Sequence, residues 1–130
     1  MLSATIIPTG TTRLFPVIGD PIGQVRSPQV LTEIMVTRGQ DAIVVPMHLA
    51  SSQVADCFRL LHHVSNVHGI LVTVPHKKLA HEACSTVSER ARFVGAVNVV
   101  RRTLEGWHGE NTDGIGYLDG LEREGFLVEG

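Results

Sequence analysis

Three clusters of polar residues carry groups that could act on a small molecule. The first is Gly19-Asp20-Pro21-Ile22-Gly23-Gln24-Val25-Arg26-Ser27-Pro28, which places a guanidinium and a hydroxyl in a loop leading to a helix start. Free backbone N–H groups at such a terminus, with Arg26 and Ser27 beside them, suit a carboxylate or a phosphate. The plainer role for Ser27 is a helix cap. The second cluster, Thr73-Val74-Pro75-His76-Lys77, sets a hydroxyl and an ammonium just past an apolar run. A lysine partly withdrawn from water can exchange a proton with a carbinol oxygen near neutral pH. Its competing role is a solvated surface group like the neighbouring Lys78. The third cluster pairs Asn98 with Asn111-Thr112-Asp113 at the two ends of an expected hairpin, where Asp113 serves either as a helix N-cap or as a second group in the cleft.

These groups need a scaffold. Leu14 to Ile18 reads as a strand that turns at Gly19-Asp20-Pro21. Ser27-Pro28 opens a helix, with Ser27 as N-cap and Pro28 in the first helical position. Val30, Leu31, Ile34 and Met35 give that helix an apolar face, and Arg38-Gly39 supplies a cationic last turn and a stop. Ala42 to Val45 is a strand apolar on both faces, and Pro46, which cannot donate to a ladder, puts it at a sheet edge or ends it. Ser51-Ser52 starts a second helix that buries Val54, Phe58, Leu61 and Val64. A strand from His68 to Val74 ends at Pro75, and a short helix from His76 to Ala83 carries Lys77 and Lys78. Val97 to Thr103 and Trp107 to Asn111 flank Leu104-Glu105-Gly106 as a β-hairpin. Asp113 begins a last helix bearing Ile115, Leu118, Leu121 and Phe126. The alternation predicts an α/β fold: three α/β/α layers around a mostly parallel mixed sheet that includes an antiparallel hairpin strand. Sheets of this kind bind ligands beyond the carboxyl ends of their strands, where the three clusters fall.

Composition narrows the functions. At 130 residues, with 43% hydrophobic and 18% charged residues, the chain makes one globular domain able to bury a core without disulfides. A formal net charge of −2 argues against a nucleic-acid binder, which needs a basic excess. Cys57 and Cys84 are too few for a disulfide framework or a four-cysteine zinc site, so two reduced thiols packed as small hydrophobes are expected. The longest apolar runs, Ala42 to Met47 and Val67 to Val74, fall far short of the roughly 20 residues that span a bilayer. The first ten residues lack a cationic start and a long apolar stretch, so no secretory signal or membrane partner is expected, and the location expected is cytoplasmic. His62 and His63 point in different directions on a helix, and His76 and His81 do not share a face, so no metal site is expected. Gly114-Ile115-Gly116 is only a fragment of a dinucleotide fingerprint.

Taken in order, GDPIGQVRSP, VTVPHK, GAVNVV and GENTDGIGYLDGL resemble the shikimate dehydrogenases from Leu14 to about Phe126. The resemblance implies a substrate-binding domain over 1–112 and, over 113–130, a helix leading toward a cofactor domain absent from this chain. It implies reversible oxidation of shikimate, quinate or another cyclic hydroxy acid, with NADP bound by that other domain, so residues 1–130 alone would be inactive. By the same resemblance, Ser27 takes the substrate carboxylate, Thr73 and Asn98 contact the ring, and Lys77 is the acid/base at the oxidised hydroxyl, paired with Asp113. The chain departs from the family pattern at Val25 and Leu71, where serine and asparagine are usual, and at Val99, where threonine is usual. These departures leave the identity of the small-molecule substrate open. A free-standing, non-catalytic module for a cyclic hydroxy acid is the alternative, and a metal hydrolase using His62, His63 or His81 is a third reading. Oligomeric state is not legible in the sequence.

Overall fold

A computed structural model of the chain describes residues 6–112. Its elements are β1 (Arg13–Gly19), α1 (Ser27–Thr37), β2 (Ala42–His48), a 3-10 turn (Ser51–Gln53) running into α2 (Val54–His62), β3 (Gly69–Val72), α3 (Lys77–Ala83), β4 (Thr86–Val87), α4 (Glu89–Val94), β5 (Val99–Arg102) and β6 (Trp107–Glu110). The strands form one sheet in the order β2-β1-β3-β5-β6-β4. The pairs β1–β2, β1–β3 and β4–β6 are parallel, whereas β5 is antiparallel to both β3 and β6. The expected mixed sheet is present, with β5 as its one reversed strand.

Alternation along the strands divides the core in two. Phe15, Val17, Leu71 and Val99 face α1, which packs Leu31 and Met35 on them. Ile18, Ile70, Val72 and Val100 face the other way, under Val54 and Phe58 of α2, Ala80 of α3 and Ala91 of α4. All four residues of β3 are buried, as in a strand covered on both faces. At the hairpin end of the sheet, the Arg102 guanidinium donates to the carbonyls of Leu61, His62, Val64 and Val67 at 2.8–3.1 Å. It also stands over the Trp107 ring, 5.0 Å from its centroid. One side chain thereby holds the last turn of α2 and the loop after it against β5.

Several sequence expectations are corrected. The N-cap of α1 is Arg26, with no side-chain capping bond; Ser27 is already helical, and Pro28 follows it in the first turn. Val30 is 46% exposed, because the line of α1 that meets the sheet runs through Leu31 and Met35, about 100° away around the helix. Arg38 is the C-cap, and the last turn holds no basic residue. Gly39, with φ of +80°, does end the helix, in a conformation glycine adopts without strain. β2 runs on to His48 with Pro46 inside it, which the edge position permits. In that strand Ala42 and Val44 are buried, while Ile43 and Val45 are only half-buried. The buried stripe of α2 is Val54, Cys57 and Phe58, with Leu61 and Val64 half-buried at its rim and Val64 beyond the helix end. β3 stops at Val72 because the chain turns through Val74-Pro75, the His76 N–H donating to the Thr73 carbonyl at 3.0 Å. β4 and α4 were not anticipated; Ser88 caps α4 by accepting from the Ala91 N–H at 3.1 Å. Asp113 and the helix expected from it lie outside the described residues.

Candidate functional site

The carboxyl ends of β1, β3 and β6 lie at one end of the sheet, and β5, running the other way, starts there. Main-chain bonds stitch these ends together. The Thr73 N–H donates to the Ile18 carbonyl (3.0 Å) and the Asp20 N–H to that of Val74 (3.2 Å), which joins the exits of β1 and β3. The Val72 N–H donates to the Asn98 carbonyl (2.9 Å) and the Asn98 N–H to that of Glu110 (3.0 Å), which sets Asn98 between β3 and β6. The Val97 N–H donates to the Lys77 carbonyl at 2.9 Å and so anchors the first residue of α3 beside Asn98. Thr73, Lys77 and Asn98 are therefore brought together by backbone geometry.

Gly19 makes the close approach possible. A Cβ there would lie 2.4 Å from the Thr73 Cγ2 and 3.2 Å from the Ile22 Cδ1. The absence of a side chain on β1 is what lets Thr73 sit at the strand end, half-buried, with its methyl over the glycine. Thr73 and Lys77 both keep partial exposure, whereas Asn98 is 1% exposed. The Asn98 Oδ1 accepts from the Thr112 N–H (2.9 Å) and Oγ1 (3.4 Å), and the Asn111 amide donates to the Ala96 carbonyl (3.1 Å). Asn98 thus fixes the path of the chain as it leaves β6.

Ser27 stands at the end of the loop that leaves Gly19. That loop is folded by bonds from the Val25 N–H to the Ile22 carbonyl (3.1 Å) and from the Gln24 amide to the Pro21 carbonyl (3.1 Å). Ile22 and Val25 pack against the α1-side core, which also contains Leu71. Val25 and Leu71 therefore belong to one apolar cluster. Ser27 is half-buried and stands inside the first helical turn rather than at the N-cap, so among the described residues its hydroxyl is not committed to capping the helix. At the same sheet end, the Asp20 carboxylate meets the His48 Nε2 at 2.6 Å, an exposed pair between the exits of β1 and β2.

Sequence reasoning placed Gly19 and Thr112 in the polar clusters but gave neither a role of its own. Gly19 carried a readable sign, a glycine closing a buried strand where a neighbouring chain must come close. Thr112 carried none, since its role depends on a contact with Asn98, 14 residues earlier. Burial pushes the Cys57 thiol up and the Cys84 thiol up to about 12, far from a nucleophilic thiolate. Among the described residues no group of three or more His, Cys, Asp and Glu side chains could hold a metal ion. No described helix is long and apolar enough to cross a membrane. A cavity of about 400 Å³, lined by Phe58, Arg59, His62, His63 and Trp107 among others, opens by the hairpin loop at the opposite end of β5 from Asn98. There the Trp107 Nε1 donates to the Phe58 carbonyl (2.8 Å) and the His62 Nε2 to that of Thr103 (3.0 Å).

Residues 17–100 match the family model of the shikimate dehydrogenase substrate binding domain. The chain belongs to that family. It is 43% identical over 120 residues to the shikimate dehydrogenase (NADP(+)) of Xylella fastidiosa (strain M12), covering 89% of this chain and 41% of that protein. It is 38% identical over 117 residues to the enzyme of the same name from Anaeromyxobacter sp. (strain K), covering 90% of this chain and 42% of that one. The fold is similar to the crystal structure of shikimate 5-dehydrogenase from Listeria monocytogenes in complex with shikimate and NAD, with a TM-score of 0.80 and 30% identity, over 94% of this chain and 42% of that one. The chain thus spans about two-fifths of the length of these members of the shikimate dehydrogenase family. Neither the β1–α1 nor the β3–α3 connection fits the pyrophosphate of NADP. At the β1–α1 connection its pyrophosphate would meet the Asp20 carboxylate and a first helical turn in which Pro28 offers no N–H. The β3–α3 connection closes tightly through Pro75, without a glycine.

Proposed function

We propose that this chain binds shikimate, or a related cyclic hydroxy acid such as quinate, as the substrate-binding part of an NADP-dependent oxidoreductase that interconverts a ring secondary alcohol and its ketone. The observation that carries this reading is the main-chain stitching of Thr73, Lys77 and Asn98 at one sheet end, at the exit of the strand whose loop leads to an uncommitted Ser27 hydroxyl. In this reading Ser27 donates to the substrate carboxylate, while Thr73 and Asn98 orient the ring hydroxyls. Lys77 Nζ accepts the proton of the hydroxyl as it is oxidised and returns it in the reverse direction. Asp113, the residue after the anchored Thr112, orients that ammonium. NADP supplies the hydride chemistry from outside the described residues, and the groups named here bind, orient and move a proton.

Val25 and Leu71 supply no hydrogen-bonding side chain where the family pattern has serine and asparagine, and both pack in the α1-side core. A missing neutral donor is worth on the order of 1 kcal/mol, enough to shift preference among close analogues without abolishing binding. Quinate therefore stands beside shikimate in the proposal. The test is an NMR titration of the 130-residue chain with each acid. Chemical-shift changes centred on Ser27, Thr73, Lys77 and Asn98 are expected with at least one of them. No change at those residues with either acid would overturn the proposal.

A further inference from the structure

Lys77 sits at the first position of a helix only seven residues long, which is too short to hold its own direction in water. Something outside α3 must aim it. The residue before it, His76, is 0% exposed, the most enclosed polar side chain among the described residues. His76 occupies the N-cap position of α3, yet its ring makes no capping bond. The ring reaches across to the connection between β2 and α2 instead. Its Nε2 meets the Leu49 carbonyl, and its Nδ1 lies 3.4 Å from the Ser51 Oγ. A carbonyl can only accept, so Nε2 carries the ring proton and Nδ1 takes the Ser51 hydroxyl. The Leu49 N–H in turn donates to the Gly19 carbonyl at 3.0 Å. The imidazole is thus a strut between the exits of β1 and β2 and the start of α3. The main chain adds two ties, Ala80 N–H to His76 carbonyl (2.8 Å) and Val97 N–H to Lys77 carbonyl (2.9 Å).

We infer that His76 is the positioning residue for Lys77: its buried imidazole, braced on Leu49 and Ser51, sets the direction in which the Lys77 ammonium enters the site. The inference rests on the reading of Lys77 as the proton-transferring group. Burial alone does not require a histidine here, because an apolar side chain of similar size would fill the space with no polar atoms to satisfy. What the histidine adds is a directional bond to a carbonyl at a fixed distance from the Lys77 backbone.

The chain's lysines are Lys77 and Lys78, so selective isotope labelling of lysine gives one side-chain signal from the site and one internal control. In the wild-type chain, shikimate should shift the Lys77 Cε and Nζ resonances and leave those of Lys78 in place. His76→Leu should abolish the Lys77 response while Trp107 fluorescence still reports cooperative unfolding. His76→Gln, whose Nε2 can donate to the Leu49 carbonyl, should restore it. Where His76→Leu does not fold, His76→Asn replaces it, because its shorter amide stops short of Leu49; loss of the response with Asn and its retention with Gln supports the inference. A wild-type Lys77 response in a folded His76→Leu or His76→Asn chain overturns the inference and leaves the proposed function standing. A wild-type chain in which shikimate shifts the amides of Ser27, Thr73 and Asn98 but not Lys77 overturns the role given to Lys77, and the inference with it. Shifts at none of these residues overturn the binding proposal as a whole.

Discussion

Replacing Gly19 with alanine tests whether the close approach of β1 and β3 holds Thr73 in the site. The backbone at Gly19 is not in the left-handed region, so alanine meets no conformational strain, and the reduced freedom of the unfolded chain favours folding by about 0.4–1 kcal/mol. Against that gain, the new Cβ would lie 2.4 Å from the Thr73 Cγ2, which belongs to a short, stiff β-branched side chain. Its other neighbours, the Ile22 Cδ1 at 3.2 Å and the Val74 carbonyl oxygen at 3.3 Å, need give only a few tenths of an ångström. Overpacking of this kind costs about 1–3 kcal/mol, so the clash outweighs the entropy gain and the net loss is about 1–2 kcal/mol. For a domain of this size that lowers Tm by roughly 4–7 °C, read from Trp107 fluorescence on heating. The decisive arm is a double-mutant cycle with Thr73→Ser, which deletes the clashing methyl and keeps the hydroxyl. Alone, Thr73→Ser costs about 0.8 kcal/mol for the lost methyl. Combined with Gly19→Ala it should recover about 1 kcal/mol or more relative to the sum of the single changes. An alanine variant that melts with the wild type, or a double variant no more stable than simple addition predicts, would refute the reasoning.

Three further outcomes are expected. Ser27→Ala should leave stability within about 0.5 kcal/mol, since no cap is lost, yet weaken shikimate binding by roughly 5–10-fold in an NMR or calorimetric titration; a loss of stability near 1 kcal/mol would instead restore the capping role. Arg102→Met should cost about 2–4 kcal/mol in urea unfolding, because the carbonyls of Leu61, His62, Val64 and Val67 lose one shared donor group, and Arg102→Lys should recover little, an ammonium being unable to span them. The Cys84 thiol, raised by burial from 9.0 to about 12, is protonated in the fold across a range where the unfolded chain ionises. Its contribution to stability is therefore full below pH 9 and is lost as pH rises from 9 through 12. Tm should fall less steeply over that interval in Cys84→Ala than in the wild type, and equal slopes would contradict the burial of the thiol.

The layers and the sheet were legible in the sequence because their causes are local. The short apolar runs Leu14 to Ile18 and Ile70-Leu71-Val72 announce strands, both buried within the sheet, and Pro46 announces an edge. Leu104-Glu105-Gly106 between two strand-like runs announces the hairpin that makes β5 the reversed strand. The four ordered motifs were likewise legible, and with them the residues to suspect. What the sequence could not determine was how the suspects meet. Ser27 read as a cap, but the helix begins one residue early, at Ser27 itself with Arg26 as its N-cap, and that one-residue shift frees the hydroxyl from capping. His76 read as one histidine among seven, and only the approach of Leu49 and Ser51 from another connection shows it as a strut. Gly19 and Thr73, 54 residues apart, bear on one another because two parallel strands end side by side. Strands and turns follow from short-range sterics and the period of apolar residues, whereas the geometry of the site follows from contacts between segments remote along the chain. Only the register of the folded sheet determines which of those segments touch.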